Sequence, residues 1–246
     1  MRCKHYFYFD SCIYPIKTSD MINQNTWNQL RVKTNDNPFA IENSKELYEI
    51  NCMSENNKNY SICADYLCML FDNNHINNVV SLGVGKGILE WHLKNKSPQI
   101  RLVATDYTKD ALDRLKKISG ICDDYFLFDF KTGDYSLLKQ YDCVVLYRLS
   151  TELDYESWKN TFKRMREKEI RQIVFVPTEL LTLNRLIQEK RRHFERFCRG
   201  QKDMFCGWMY SENEFKLMWS DYYYIEQEKD LSDTKVFFLK IKLNGE

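Results

Sequence analysis

Three of this chain's eight glycines fall within five positions, in "VVSLGVGKG", directly behind a run of small apolar residues. A short apolar run that ends in glycines and passes into "ILEWHL" reads as a buried strand, a tight turn and a helix. Glycine is the residue that enters left-handed backbone without steric cost. Such a unit needs a sheet on both sides of it, and the following sequence supplies one. Short β-branched runs at Asn78–Leu82, Ile100–Thr105, Tyr125–Phe128, Cys143–Tyr147 and Ile173–Val176 alternate with helical stretches. That alternation predicts a doubly wound α/β fold with a mainly parallel sheet and helices on both faces.

The connecting segments agree with this reading. Tyr60 to Phe71 carries Ile62, Cys63, Tyr66, Leu67 and Leu70 at helical spacing. Ser97-Pro98 closes the helix after the glycines, and Gly120 closes the next one, whose Ala111, Leu112, Leu115 and Ile118 form one stripe. "DYYYIEQEKD" and "KVFFLKIKL" around "LSD" predict an antiparallel C-terminal hairpin. Residues 1–59 are weakly patterned and are expected to form a helical cap on the substrate side; residues 60–246 form the main domain. "CGWMYSENEFKLMW" is expected to be a loop and helix.

The 36 basic and 35 acidic residues nearly cancel, so no global charge draws the chain to nucleic acid or to an anionic membrane. Nine cysteines without a CxxC pair predict reduced thiols and no metal site, and with no secretory leader or spanning apolar run the expected address is cytoplasmic.

The glycine pattern is G-x-G-x-G, with Ile88 where a dinucleotide fingerprint has its third glycine. Lys86 precedes glycine rather than Ser or Thr, which excludes a phosphate loop. Asp106 ends the next strand twenty-three residues after Gly83, where a carboxylate accepts ribose hydroxyls. Asp129 follows the third strand, flanked by Phe128 and Phe130. Tyr147, Arg148 and Ser150 leave the fourth strand at the same edge of the sheet.

In motif order, "VVSLGVGKG", "VATD", "FLFDF", "YDCVVLYRLS", "IVFVP" and the closing hairpin resemble the class I S-adenosylmethionine-dependent methyltransferases over roughly residues 60 to 243. The resemblance implies a seven-stranded sheet with its last strand antiparallel and S-adenosylmethionine as cofactor. Gly83, Val84, Gly85 and Gly87 would face its methionine part, Asp106 the ribose, Tyr107 a face of the adenine, Asp129 and Phe130 the adenine edge, with Tyr147 beside them. Ser81 stands where many members carry an acidic residue, so weaker cofactor binding, a substitute ligand such as Glu152, or a chain without activity is expected.

In-line methyl transfer asks mainly for positioning, and for a base only where the acceptor must lose a proton. His92 and Glu152 are the main candidate bases, with His193 behind them. No Asn/Asp-Pro-Pro-Tyr/Phe tetrad and no Pro-Cys follows the fourth strand, which favours a small-molecule acceptor of O- or N-methylation. Arg148 is a candidate for binding an acidic group on it, with a salt bridge to Glu152 or Asp154 as the structural alternative. Trp208 and Tyr210 are candidates to close over it. On the predicted helix after residue 178, Leu183, Leu186, Ile187, Phe194 and Phe197 share one face, and Arg185, Arg192, Arg196 and Arg199 form an opposite stripe about 60° wide that is expected to be a solvated face, with an anionic acceptor or partner as the alternative. A nicotinamide-dependent oxidoreductase and a non-catalytic relative that binds a partner through this basic helix are the competing classes.

Overall fold

In a computed structural model, residues 2–8, 27, 40–118, 120–199, 203–231 and 234–242 are described. Strands β1 (Arg2–Tyr8), β2 (Asn78–Leu82), β3 (Arg101–Asp106), β4 (Asp124–Leu127), β5 (Cys143–Tyr147), β6 (Gln172–Val176), β7 (Asp203–Tyr210), β8 (Tyr223–Asp230) and β9 (Lys235–Ile241) alternate with helices. The helices are α1 (Lys45–Met53), α2 (Lys58–Asn73), α3 (Ile88–Lys96), α4 (Lys109–Ile118), α5 (Tyr155–Glu167), α6 (Leu183–Cys198) and α7 (Glu212–Trp219).

Seven strands form one sheet in the order β4-β3-β2-β5-β6-β9-β8. β2 pairs in parallel with β3 on one side and β5 on the other, whereas β9 runs antiparallel to both β6 and β8. The chain winds outward from β2 in one direction and then in the other, so the strand order reverses at the carboxyl end of β2.

Period-two alternation sorts the sheet residues between two cores. Val79, Cys143, Val145, Val174, Val236 and Phe238 meet α2 through Cys63, Ala64, Leu67, Leu70 and Phe71. The opposite positions Val80, Val144, Leu146, Phe175, Phe237 and Leu239 meet Trp158 and Phe162 of α5 and Phe215 and Trp219 of α7. With both faces covered, β5 and β6 read as nearly continuous apolar runs. Local signals fix the helix starts: Asp154 accepts from the Ser157 amide at 2.8 Å, and Ser211 with Glu214 forms a capping box on α7.

Three features differ from the sequence expectation. Within residues 1–59 there is a strand as well as helix, since β1 pairs antiparallel with β7 from Arg2↔Tyr210 to Tyr8↔Asp203. Much of that segment lies outside the described residues. The stretch "CGWMY", expected to be loop, is part of β7. Helix α6 turns its apolar stripe outward: Leu183, Ile187, Phe194 and Phe197 are exposed, the last at 76%. Its inward side instead holds the buried Glu189, bridged by Arg185 at 3.1 Å and Arg192 at 3.5 Å, while Arg185 also reaches Glu179 at 2.5 Å. Ion pairing to a buried carboxylate overrides the apolar stripe, because an unpaired Glu189 would cost more than exposed leucine and phenylalanine.

The β1–β7 ribbon is fastened to the carboxyl edge of the main sheet. The Trp208 amide donates to the Thr151 carbonyl at 3.2 Å and the Leu181 amide to the Tyr210 carbonyl at 2.9 Å. Gly207 makes this possible: its φ is 129°, and a Cβ there would lie 1.6 Å from the Thr151 carbonyl oxygen. Gly207→Ala is therefore expected to destabilise the fold by about 3 kcal/mol in urea denaturation, from overpacking and backbone strain together. An unchanged midpoint would show that the ribbon is not held by this approach.

Candidate functional site

The turn between β2 and α3 uses Gly83, Gly85 and Gly87 at φ of 68°, 56° and 69°. A side chain at any of these positions would be strained. The space is also taken: a Cβ on Gly83 would come 2.6 Å from the Leu149 side chain, and one on Gly87 2.9 Å from Leu115. Inside the turn, the Val84 amide donates to the Thr105 carbonyl at 3.0 Å, the Gly85 amide to Asp106 Oδ2 at 3.0 Å, and the Gly87 amide to the Val84 carbonyl at 2.8 Å. Three amides of the loop are thus already donating within the protein. A pyrophosphate needs such amides and tolerates a neighbouring carboxylate poorly.

Asp106 is buried at the end of β3 and organises two turns. Its Oδ2 accepts from Gly85, while its Oδ1 accepts from the Thr108 amide at 2.9 Å and the Thr108 hydroxyl at 2.6 Å. The glycine loop and the start of α4 are thereby joined through one carboxylate, with Tyr107 between them half-buried. Asp129 caps its own turn, accepting from the Lys131 amide at 2.9 Å and the Thr132 hydroxyl at 3.0 Å. Phe130 leans into the core, 5.6 Å from the Trp158 ring and 6.0 Å from that of Phe128.

The position of Ser81 has an unanticipated partner. Its hydroxyl donates to Glu90 Oε1 at 2.5 Å, so a carboxylate from α3 lies one hydrogen bond from where an acidic residue at 81 would project. Glu90 is 2% exposed. Burial raises its carboxyl to about 7; the Ser81 hydroxyl lowers it, and the Asp106 charge raises it further. The sequence carried a signal for it: a carboxylate in the first turn of a helix whose neighbours Ile88, Leu89 and Leu93 are all buried.

After β5, Arg148 has φ of 55°, an uncommon value for a long side chain. Its guanidinium lies 5.6 Å from the Tyr60 ring and 5.7 Å from the Tyr147 ring, and those two rings are 5.3 Å apart. The cation is held by aromatic faces from α2 and β5. Glu152 accepts a hydrogen bond from the Trp27 indole at 3.3 Å, which brings Trp27 to the loop after β5. Ser150 accepts from the Thr178 amide at 2.9 Å, tying this loop to the one after β6.

Two candidates stand elsewhere. His92 lies two residues beyond Glu90 and so on the other side of α3. Its Nε2 is 3.1 Å from the Cys52 carbonyl of α1, and burial lowers its pKa. Tyr210 is fully buried, donates to the Leu153 carbonyl at 3.2 Å and packs on Phe215, which makes it a core residue rather than a substrate contact. Trp208 is half-buried, with the Lys4 ammonium 5.8 Å from its ring. Among the described residues there is no cluster of three or more groups suited to a metal ion, and no helix is long and apolar enough to cross a membrane.

No family model and no curated protein sequence matches this chain. Its fold is that of the class I S-adenosylmethionine-dependent methyltransferases. A Pyrococcus horikoshii OT3 protein, PH0226, superposes with a TM-score of 0.61 at 14% identity, covering 80% of this chain and 99% of its own. Magnesium protoporphyrin IX methyltransferase from Synechocystis PCC 6803, solved with bound SAH, gives 0.60 at 11% identity over 88% and 93% of the two chains. Human N-acetylserotonin methyltransferase in complex with SAM gives 0.58 at 13% identity, covering 95% of this chain and 59% of that one.

The burial of Glu90 has a consequence for stability. Its folded pKa of about 7 lies above the ordinary 4.5, so between these values the native state holds a proton that the unfolded chain has released. Its contribution to stability is therefore present below pH 4.5 and is lost as pH rises through 7, by roughly 3 kcal/mol in all. Glu90→Gln removes this loss. Relative to wild type, its unfolding free energy is expected to rise between pH 5 and pH 8, measured by urea denaturation at each pH; a constant difference would contradict the buried, proton-holding state.

Proposed function

We propose that this chain transfers a methyl group from S-adenosylmethionine to the oxygen or nitrogen of a small-molecule acceptor that bears an acidic group. The observation that carries the reading is the left-handed glycine turn over β2, locked to Asp106, at the point where the strand order reverses. The residues fit the cofactor. The loop has few amides to offer a phosphate and two carboxylates beside it, Asp106 and Glu90, which suits a ligand with cationic groups and no phosphate. The same features weigh against a nicotinamide dinucleotide. The bound cofactor would supply a sulfonium methyl already activated for displacement. Gly83, Val84, Gly85 and Gly87 would seat its methionine part, Asp106 its ribose, and Tyr107, Asp129, Phe130 and Tyr147 its adenine side.

The protein's share of the chemistry is placement. Arg148, pinned between Tyr60 and Tyr147, is suited to hold an acceptor carboxylate or phosphate, since its strained backbone persists against a cost of about 1–3 kcal/mol. Of the two main candidate bases we retain Glu152, which stands on the loop leaving β5 at the carboxyl edge; His92 is engaged with α1. Trp208, on the ribbon fastened to that same loop, is suited to border the acceptor.

Two measurements test this. Calorimetry with S-adenosylhomocysteine is expected to give micromolar binding that weakens at least tenfold in Asp106→Ala; absence of heat with the wild-type protein rejects the reading. Radiolabelled transfer from S-adenosylmethionine to paired acceptors, with and without a carboxylate, is then expected to favour the acidic member. Arg148→Gly, whose backbone suits the left-handed conformation, is expected to fold normally and to lose that preference through a KM at least tenfold higher. Equal use of both acceptors would assign Arg148 to packing.

A further inference from the structure

We propose that Glu90, delivered by α3 and oriented by Ser81, is the carboxylate that answers the cationic amino end of the cofactor, and that loading the site expels a proton from Glu90 to solvent. The inference rests on the cofactor reading above. Ser81 is on the same face of β2 as Val79, toward the α2 and α3 side, and its short side chain leaves room there for a second residue. Glu90 fills that room, with Oε1 2.5 Å from the Ser81 hydroxyl. It emerges from the first turn of α3, whose N-cap is Gly87 of the glycine loop, and so lies directly beneath that loop.

Among the described residues, several acids share its field. From β3 there is Asp106; from α1, Tyr48 and Cys52; from the turn before β4, Cys122; and from β4, Tyr125. Lys86, in the loop, acts on Cys52, and its carbonyl accepts the Tyr48 hydroxyl at 2.9 Å. Among the described residues Glu90 has no ion-pair partner. A buried carboxylate among other acids is costly where an apolar residue of the same volume would pack, so its presence calls for a partner from outside the chain. An ammonium placed at the loop is such a partner. Its arrival converts a protonated carboxyl to a carboxylate and sends one proton to the buffer, and charge is conserved.

The experiment is calorimetric titration with S-adenosylhomocysteine at pH 7 in two buffers of different ionisation enthalpy, repeated at pH 6. Wild type is expected to release about half a proton at pH 7 and to bind about fivefold tighter at pH 7 than at pH 6. Glu90→Gln keeps the shape of the side chain and is checked for folding by its melting curve. It is expected to bind at least tenfold more weakly at pH 7, with the proton release and the pH 6 to 7 gain both gone. Titration of the ligand's own amino group is common to both proteins and cancels in the comparison. Ser81→Ala, which leaves the Glu90 carboxyl in place but unoriented, is expected to keep the proton release and lose part of the affinity. Wild-type affinity and wild-type proton release in Glu90→Gln would overturn the proposal while leaving the cofactor reading intact. No binding by wild type would instead overturn the cofactor reading, and this proposal with it.

Discussion

β2 is paired in parallel on both sides and buried on both faces, so nothing about it can shift without breaking two ladders and two cores. Its chain must nevertheless leave the sheet and enter α3 within a few residues. That requirement forces left-handed backbone at Gly83, Gly85 and Gly87, and it brings Asp106 from the neighbouring strand into hydrogen-bonding range of the turn. The first turn of α3 and the start of α4 both take their positions from this one bend. The loops after β5 and β6 are then drawn to the same edge through Ser150, Thr151 and Thr178.

The electrostatics of this edge are uneven in a way that bears on its ligand. Asp106 and Glu90 lie together beneath the loop with no ion-pair partner among the described residues, whereas Arg148 follows β5 beside two tyrosine rings. Carboxylates on one side and a guanidinium on the other suit a bound cation meeting an anionic acceptor. Ion pairs among the described residues include the Glu189 cluster of α6 and the Lys235–Glu212 contact at 3.0 Å.

The main-sheet elements were legible because each is dictated locally. Cys143–Tyr147 is a strand in sequence and structure alike, because five apolar residues, two of them β-branched, between polar flanks have no other low-cost burial. The glycine loop and Asp106 were legible for the same reason: a turn needing left-handed backbone advertises itself with glycine. The β1–β7 ribbon was not legible. Its strands are separated by nearly two hundred residues, and what fastens it is a backbone approach between Gly207 and Thr151 that no local pattern encodes. The outward apolar face of α6 was missed because periodicity reports that a stripe exists, not which side the protein meets. Tyr210 was misread because aromatic content does not distinguish a pocket wall from a core.

By itself, the sequence determined the order and nature of the alternating elements, the left-handed turn after Leu82 and the carboxylate that follows the next strand. These depend on residues close together in the chain, where steric and burial preferences act directly. Only the tertiary structure decided that Ser81 is answered by Glu90, that Arg148 is held between Tyr60 and Tyr147, and that His92 faces α1. Those contacts set the charge and shape of the site. They depend on which helix face meets which strand, and that is settled by the packing of the whole sheet.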